Sequence, residues 1–206
     1  MTPAYDFDRA DVRWVFGYGS LIWRPDFPFL QRHPACLNGW TRRFWQGSHD
    51  HRGMPGAPGR VVTLIADATS QCLGVAYALE VAVFERVVQD LDVREQNGYA
   101  RFTANVELLA AQPDSASAAQ IAEARAVPAL VYIATPTNPA FIGPAPVLHL
   151  ADTIAHAQGP SGSNRDYLFE LAAVLRELHA LTDNRVAAQD AHVFELEAAV
   201  RAFALP

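Results

Sequence analysis

The chain has 206 residues, enough for one domain with a substantial core, expected here as a single unit over 1–206. Half of the residues are hydrophobic and 18% are charged, which excludes intrinsic disorder. The formal net charge is -6 without long runs of one sign, which argues against a nucleic-acid-binding face.

No apolar run is long enough to cross a bilayer, so no membrane partner is expected. Met1 to Arg13 lacks the basic start and apolar stretch of a secretory signal. Cys36 and Cys72 are too few for a disulfide framework and sit in no paired metal-ligand spacing. The expected setting is the reducing cytoplasm, with a monomer as the default state.

In chain order, Trp14-Val15-Phe16 reads as a buried strand entering a turn at Gly17, followed by Leu21-Ile22-Trp23, which Pro25 stops. Gln46 to Arg60 reads as a long loop, with Gly53, Pro55, Gly56, Pro58 and Gly59 close together. Arg60–Ala66 and Cys72–Leu79 are β-rich and read as an antiparallel pair turning at 67–71. Apolar residues at helical spacing predict a helix over Val81–Val93, broken by Asn97-Gly98. Strands are expected over Arg101–Leu109 and Val127–Ala134, separated by a surface excursion from Gln112 to Arg125. The last third is helical. One helix runs from Ala145-Pro146 to Gln158, a second is capped by Ser163 or Asn164, and a third covers Ala187–Phe203. Strands first and helices last indicate an α+β fold with a mainly antiparallel sheet or small barrel.

Several segments carry residues suited to chemistry. Gly17-Tyr18-Gly19-Ser20-Leu21 follows a strand, and its backbone N–H groups could cradle a small anion or simply form a strand-end turn. It is not a dinucleotide fingerprint, because the third glycine position is Ile22. Ser20 lies in Gly-Tyr-Gly-Ser-Leu, one residue out of step with a nucleophile elbow. Glu95 falls at a predicted helix C-terminus, where the helix dipole disfavours negative charge. That placement suits a proton shuttle with a raised pKa; a solvated helix-end glutamate or an ion pair within Asp92–Glu95 are the other readings. Arg42-Arg43-Phe44-Trp45 pairs cations with aromatics, which fits binding of a substrate carboxylate or a buried aromatic patch. His49-Asp50-His51 lacks a third fixed ligand, so no metal is expected there.

Together and in order, these segments resemble the ChaC family of glutathione-specific γ-glutamylcyclotransferases. The resemblance rests on Val15–Trp23, on Arg42-Arg43-Phe44-Trp45-Gln46-Gly47-Ser48, on Asp50-His51-Arg52-Gly53 and on Pro55–Leu64. Leu91-Asp92-Val93-Arg94-Glu95, Gly98-Tyr99, Gly143-Pro144-Ala145-Pro146 and Gly159–Asn164 with Tyr167-Leu168 extend it over about Arg13 to Phe203. His49 stands where the family usually has Thr, and Gln96-Asn97 where Lys-Gly is usual. The resemblance implies a γ-glutamylcyclotransferase-like mixed, mainly antiparallel β-barrel with flanking helices. It also implies conversion of glutathione to 5-oxoproline and cysteinylglycine, without cofactor or metal. It assigns the catalytic glutamate to Glu95 and the substrate-cradling loop to Tyr18, Gly19, Ser20 and Leu21. Arg42, Arg52 and Tyr99 are expected to help bind substrate. The alternatives are a cyclotransferase for other γ-glutamyl compounds and a non-catalytic γ-glutamyl-binding module on the same scaffold.

Overall fold

A computed structural model describes residues 12–95, 98–109, 125–182 and 187–203. Five strands form a closed barrel in the order β1-β3-β2-β4-β5: β1 (Val12–Gly17), β2 (Gln31–Ser48), β3 (Gly59–Glu80), β4 (Ala100–Leu108) and β5 (Arg125–Ile133). Neighbouring strands pair antiparallel except at the closure, where β5 runs parallel to β1 through Trp14–Ala129, Val15–Leu130 and Phe16–Val131. Closure leaves the barrel no open edge. The α+β, mainly antiparallel barrel is therefore as the sequence predicts.

Two strand expectations need correction. Arg60–Ala66 and Cys72–Leu79 do not pair with each other; both belong to the single strand β3, and both pair with β2. The intervening Asp67–Ser70 is an irregularity within the strand and not a hairpin turn. The Asp67 carboxylate accepts from the Thr69 N–H, the Thr69 hydroxyl and the Ser70 hydroxyl, while Gly39 opposite adopts φ +81. A polar cluster that caps itself looks like a turn in sequence whether or not the chain reverses. The second correction is β2, an 18-residue strand not foreseen. Pro34, Asn38-Gly39 and two adjacent arginines break its alternation, and several of its buried residues are polar, namely Thr41, Arg42, Gln46 and Ser48.

The helical elements follow expectation more closely. Helix α1 (Val81–Arg94) buries Val87 and Leu91, and Glu95 is its C-cap, donating its N–H to the Leu91 carbonyl at 2.8 Å. Helix α2 (Val147–His156) is shorter than predicted, because Gln158–Gly159 and Gly162–Ser163 pair as a two-residue hairpin, β6 and β7. Helix α3 (Asn164–Leu181) is capped by Ser163, whose hydroxyl accepts from the Asp166 N–H at 3.0 Å. It buries Tyr167, Leu168, Leu171, Leu175 and Leu178. The final predicted helix divides into a 3₁₀ turn (Ala187–Asp190) and α4 (Ala191–Phe203). Helices α2, α3 and α4 pack on one another, and barrel and helices share one apolar core. The predicted excursion and Gln96-Asn97 lie outside the described residues, apart from Arg125. Among the described residues no helix is long and apolar enough to cross a membrane.

The predicted loop contracts to 49–58, between β2 and β3. Gly53 shapes it: a Cβ there would lie 2.0 Å from the Gly59 N and 2.5 Å from the Ser48 carbonyl oxygen. Both are backbone atoms, which cannot rotate away. Gly53→Ala is expected to destabilise the fold by about 1–3 kcal/mol, the usual cost of overpacking. Urea unfolding checks this, and a midpoint unchanged from wild type would contradict it.

Candidate active site

The first component is the turn after β1. Gly17 pairs with Val75, and the chain then folds into the 3₁₀ turn Ser20–Ile22. Its backbone closes with Ile22 N–H to Gly19 O at 3.0 Å and Arg24 N–H to Ser20 O at 2.8 Å. The Ser20 and Leu21 N–H groups stand in the first turn, where a helix offers no acceptor. Three side chains from other elements hold this turn. Arg42 Nε donates to the Tyr18 carbonyl at 2.7 Å, the Tyr77 hydroxyl to the Leu21 carbonyl at 2.6 Å, and Arg94 Nη2 to the Ser20 hydroxyl oxygen at 2.8 Å.

The second component is Glu95, delivered by the end of α1. Its side chain is 20% exposed, and Arg94 Nε lies 3.7 Å from its Oε1. Burial pushes its carboxyl above the ordinary carboxylate range, against the opposing pull of Arg94 and His51. The phenols of Tyr18 and Tyr167, both buried, and of the partly buried Tyr99 surround it. Desolvation raises the pKa of each, and the charge of Glu95 raises it further. The three phenols are therefore neutral hydrogen-bonding groups near neutrality.

Glu95 stands where two clefts meet, and both are also lined by Ser20, Tyr99 and Tyr167. The smaller, of about 50 Å³, is bounded by Tyr18, Gly19, Leu21 and Val62. The larger, of about 280 Å³, is bounded by Trp23, Arg24, Ser48, His51, Arg52 and Arg94 among others. Arg52 is 12% exposed there; its Nη1 donates to the Ser163 carbonyl at 3.1 Å, and its guanidinium lies 5.5 Å from the Tyr167 ring centroid. His51 shares a 3.0 Å contact between Nδ1 and the Ser161 hydroxyl. Among the described residues, no group of three or more His, Cys, Asp and Glu gathers as a metal site.

The structure thus brings together Glu95, Tyr18, Gly19, Ser20, Leu21, Arg52 and Tyr99. Arg42 it does not. That guanidinium is 1% exposed and lines neither cleft; its donors go to the Tyr18 and Leu73 carbonyls and to the Asp190 carboxylate. Its expected contact with substrate therefore needs correction: it supports the loop from behind. Sequence reasoning overlooked Tyr167, which its place on the apolar face of α3 presents as a core residue, and the contacts of Arg94, whose hydrogen-bond partners lie 68 to 74 residues away. The nearest signal for both was their place within the family-like segments.

The barrel with its flanking helices is of the γ-glutamylcyclotransferase-like class, as superposition on a solved structure shows. The crystal structure of the selenomethionine-labelled γ-glutamylcyclotransferase specific to glutathione from yeast superposes with a TM-score of 0.80 at 31% identity, covering 94% of this chain and 97% of that one. A model of the family described as ChaC-like protein matches residues 13–203, and the chain belongs to that family. Among its relatives, human glutathione-specific gamma-glutamylcyclotransferase 1 is 40% identical over 177 residues, 83% of this chain and 75% of its own length. The Danio rerio protein of the same name is 38% identical over 193 residues, 94% of this chain and 91% of its own. Gamma-glutamylcyclotransferase 2-3 of Arabidopsis thaliana is 41% identical over 196 residues, 91% and 88% of the two chains.

Proposed function

We propose that this protein degrades glutathione by cyclising its γ-glutamyl group, with Glu95 as the general base and then the general acid. The observation that carries the reading is the position of Glu95, a partly buried carboxyl with a raised pKa where the two clefts join. Family membership supports the same activity.

The γ-glutamyl group enters the smaller cleft, with its α-carboxylate against the Ser20 and Leu21 N–H groups. The cysteinylglycine portion occupies the larger one, whose wall carries Arg52. Glu95 takes a proton from the substrate α-ammonium. The freed amine attacks the δ-carbonyl, a C–N bond forms and a five-membered ring closes. Collapse of the tetrahedral intermediate breaks the original amide bond as the proton on Glu95 passes to the departing cysteinyl nitrogen; the regenerated carboxylate then takes the second proton, which attack left on the ring nitrogen, and the released amine ends as an ammonium. The nucleophile belongs to the substrate, so the enzyme's main task is to hold it folded; effective molarities of about 10⁵ M or more are available to well-oriented intramolecular reactions. The Tyr18, Tyr99 and Tyr167 hydroxyls, held neutral, are the available donors for the developing oxyanion.

Incubating the protein with glutathione and with γ-glutamylalanine tests the assignment. Turnover of glutathione with kcat/KM well above that of γ-glutamylalanine is expected, because only the tripeptide fills the larger cleft. Preference for γ-glutamylalanine would overturn the glutathione assignment.

The raised pKa also sets a pH dependence. The base must be the carboxylate, so activity is lost as pH falls through the Glu95 pKa. The acid limb of the kcat/KM profile is expected above the ordinary glutamate range of about 4.3. A limb at or below that value would contradict the desolvated setting of Glu95.

A further inference from the structure

Arg94 precedes Glu95 and ends α1, yet its side chain turns away from the helix toward the segment after β1. Nη2 donates to the Ser20 hydroxyl oxygen at 2.8 Å, and Nη1 to the Arg24 carbonyl at 3.0 Å and the Asp26 carboxylate at 3.4 Å. Asp26 also accepts from Arg24 Nε at 3.0 Å, and it is held at φ 56, unusual for a residue with a side chain. The Asp26 carboxylate thus meets one arginine of its own segment, Arg24, and one from the end of α1, Arg94. Arg94 Nε lies 3.7 Å from the Glu95 carboxylate.

We propose that Arg94 is a positioning residue that clamps the substrate-cradling turn to the end of α1 and so fixes the distance between that turn and the Glu95 carboxyl. The inference rests on the functional reading above, in which these two parts act on one substrate. The planar guanidinium suits the task, because its donors diverge at fixed angles to a hydroxyl, a carbonyl and a carboxylate at once. Its contact with Ser20 has a second effect. By donating to Oγ, Arg94 makes the hydroxyl an acceptor on that side and leaves its own hydrogen free to donate to substrate.

The clamp also carries charge. Glu95 faces Arg94 from its own helix end, His51 and Asp50 from the 49–58 loop, Tyr18 from the turn after β1, Tyr99 from the approach to β4 and Tyr167 from α3. Arg94 is the fixed cation that favours the carboxylate. Removing Arg94 therefore raises the pH at which Glu95 becomes a base.

The test compares wild type, Arg94→Met, Arg94→Lys, Ser20→Ala and the Ser20→Ala/Arg94→Met double variant by kcat/KM for glutathione across pH, with thermal melts as a check on folding. Arg94→Met is expected to lose about 10- to 100-fold in kcat/KM, the scale of a small misplacement of reacting groups. Its acid limb is expected to move to higher pH. Arg94→Lys keeps the charge, so its limb stays near the wild-type position, but it remains about tenfold slower because an ammonium cannot make the divergent contacts. The double variant is expected to lose less than the product of its single losses, as partners in one contact do. An Arg94→Met enzyme with wild-type kcat/KM and an unmoved acid limb overturns the clamp, and so does a double variant whose losses multiply. If Arg94→Met does not fold, Arg94→Lys and Ser20→Ala decide the matter, and wild-type kcat/KM in both overturns it. A wild-type protein that forms no 5-oxoproline overturns the functional reading and the clamp with it, whereas an active wild type indifferent to Arg94 overturns the clamp alone.

Discussion

Glu95→Gln is expected to reduce kcat for glutathione cyclisation by about 10²–10⁴-fold, the usual contribution of a positioned acid/base group, while glutathione still binds. The amide matches the carboxyl in shape but cannot take the proton from the α-ammonium or return it to the leaving nitrogen. Stability gives an independent check with an unusual sign. Burial raises the Glu95 pKa in the folded protein, so the fold binds this proton more tightly than the unfolded chain does. Below the unfolded pKa both states hold the proton and Glu95 makes no difference. As pH rises past it, the unfolded chain ionises more readily and the glutamate costs stability. Glu95→Gln is therefore expected to be at least as stable as wild type at neutral pH, a trade of stability for function. Turnover within a few-fold of wild type would remove Glu95 from the mechanism. A marked loss of thermal stability would show that its carboxylate is structural.

The second large effect is on folding. Arg42→Met is expected to destabilise the protein by about 3–5 kcal/mol, the usual cost of breaking a buried ion pair from one side. Arg42 ties β2 to the Tyr18 and Leu73 carbonyls and to Asp190, which lies 148 residues away and also contacts His179 Nε2 at 3.0 Å. Without the guanidinium, the Asp190 carboxylate, 3% exposed, keeps only His179 among these partners, and two backbone carbonyls lose their donor. Burial opposes the charge on Asp190, but Arg42 and His179 hold its pKa below the ordinary aspartate value. A depressed carboxylate pKa contributes stability above the unfolded pKa, near 3.9, and that contribution fades as pH falls toward the folded one. The gap in urea-unfolding free energy between wild type and Arg42→Met should accordingly narrow in acid. A gap below about 1 kcal/mol at neutral pH would contradict the structural role given to this pair.

How much of this was legible in the sequence differs by element. Helices α1 and α3 were, because apolar residues recur at helical spacing and Ser163 supplies a cap. Glu95 was singled out by its place at a helix end, an electrostatically unfavourable position that a short-range reading can see. Strand β2 was hidden because Arg42, Gln46 and Ser48 are buried although polar, which erases the alternation that marks a strand. The false hairpin in β3 arose because Asp67, Thr69 and Ser70 satisfy one another locally, as they would in a real turn. Arg42 shows the remaining difficulty. A cation beside aromatics reads as a ligand contact, and only the packing of the 3₁₀ turn at Asp190 against β2 reveals that its charge is already matched.

If the substrate's own amine is the nucleophile, no oxygen from water enters the ring product. Glutathione is incubated with the protein in ¹⁸O-enriched water, and the products are identified by mass spectrometry. Cyclisation yields equal amounts of cysteinylglycine and 5-oxoproline, with no heavy oxygen in the ring product. Release of glutamate carrying one heavy oxygen would show that water attacks the δ-carbonyl, and would contradict cyclisation at this site.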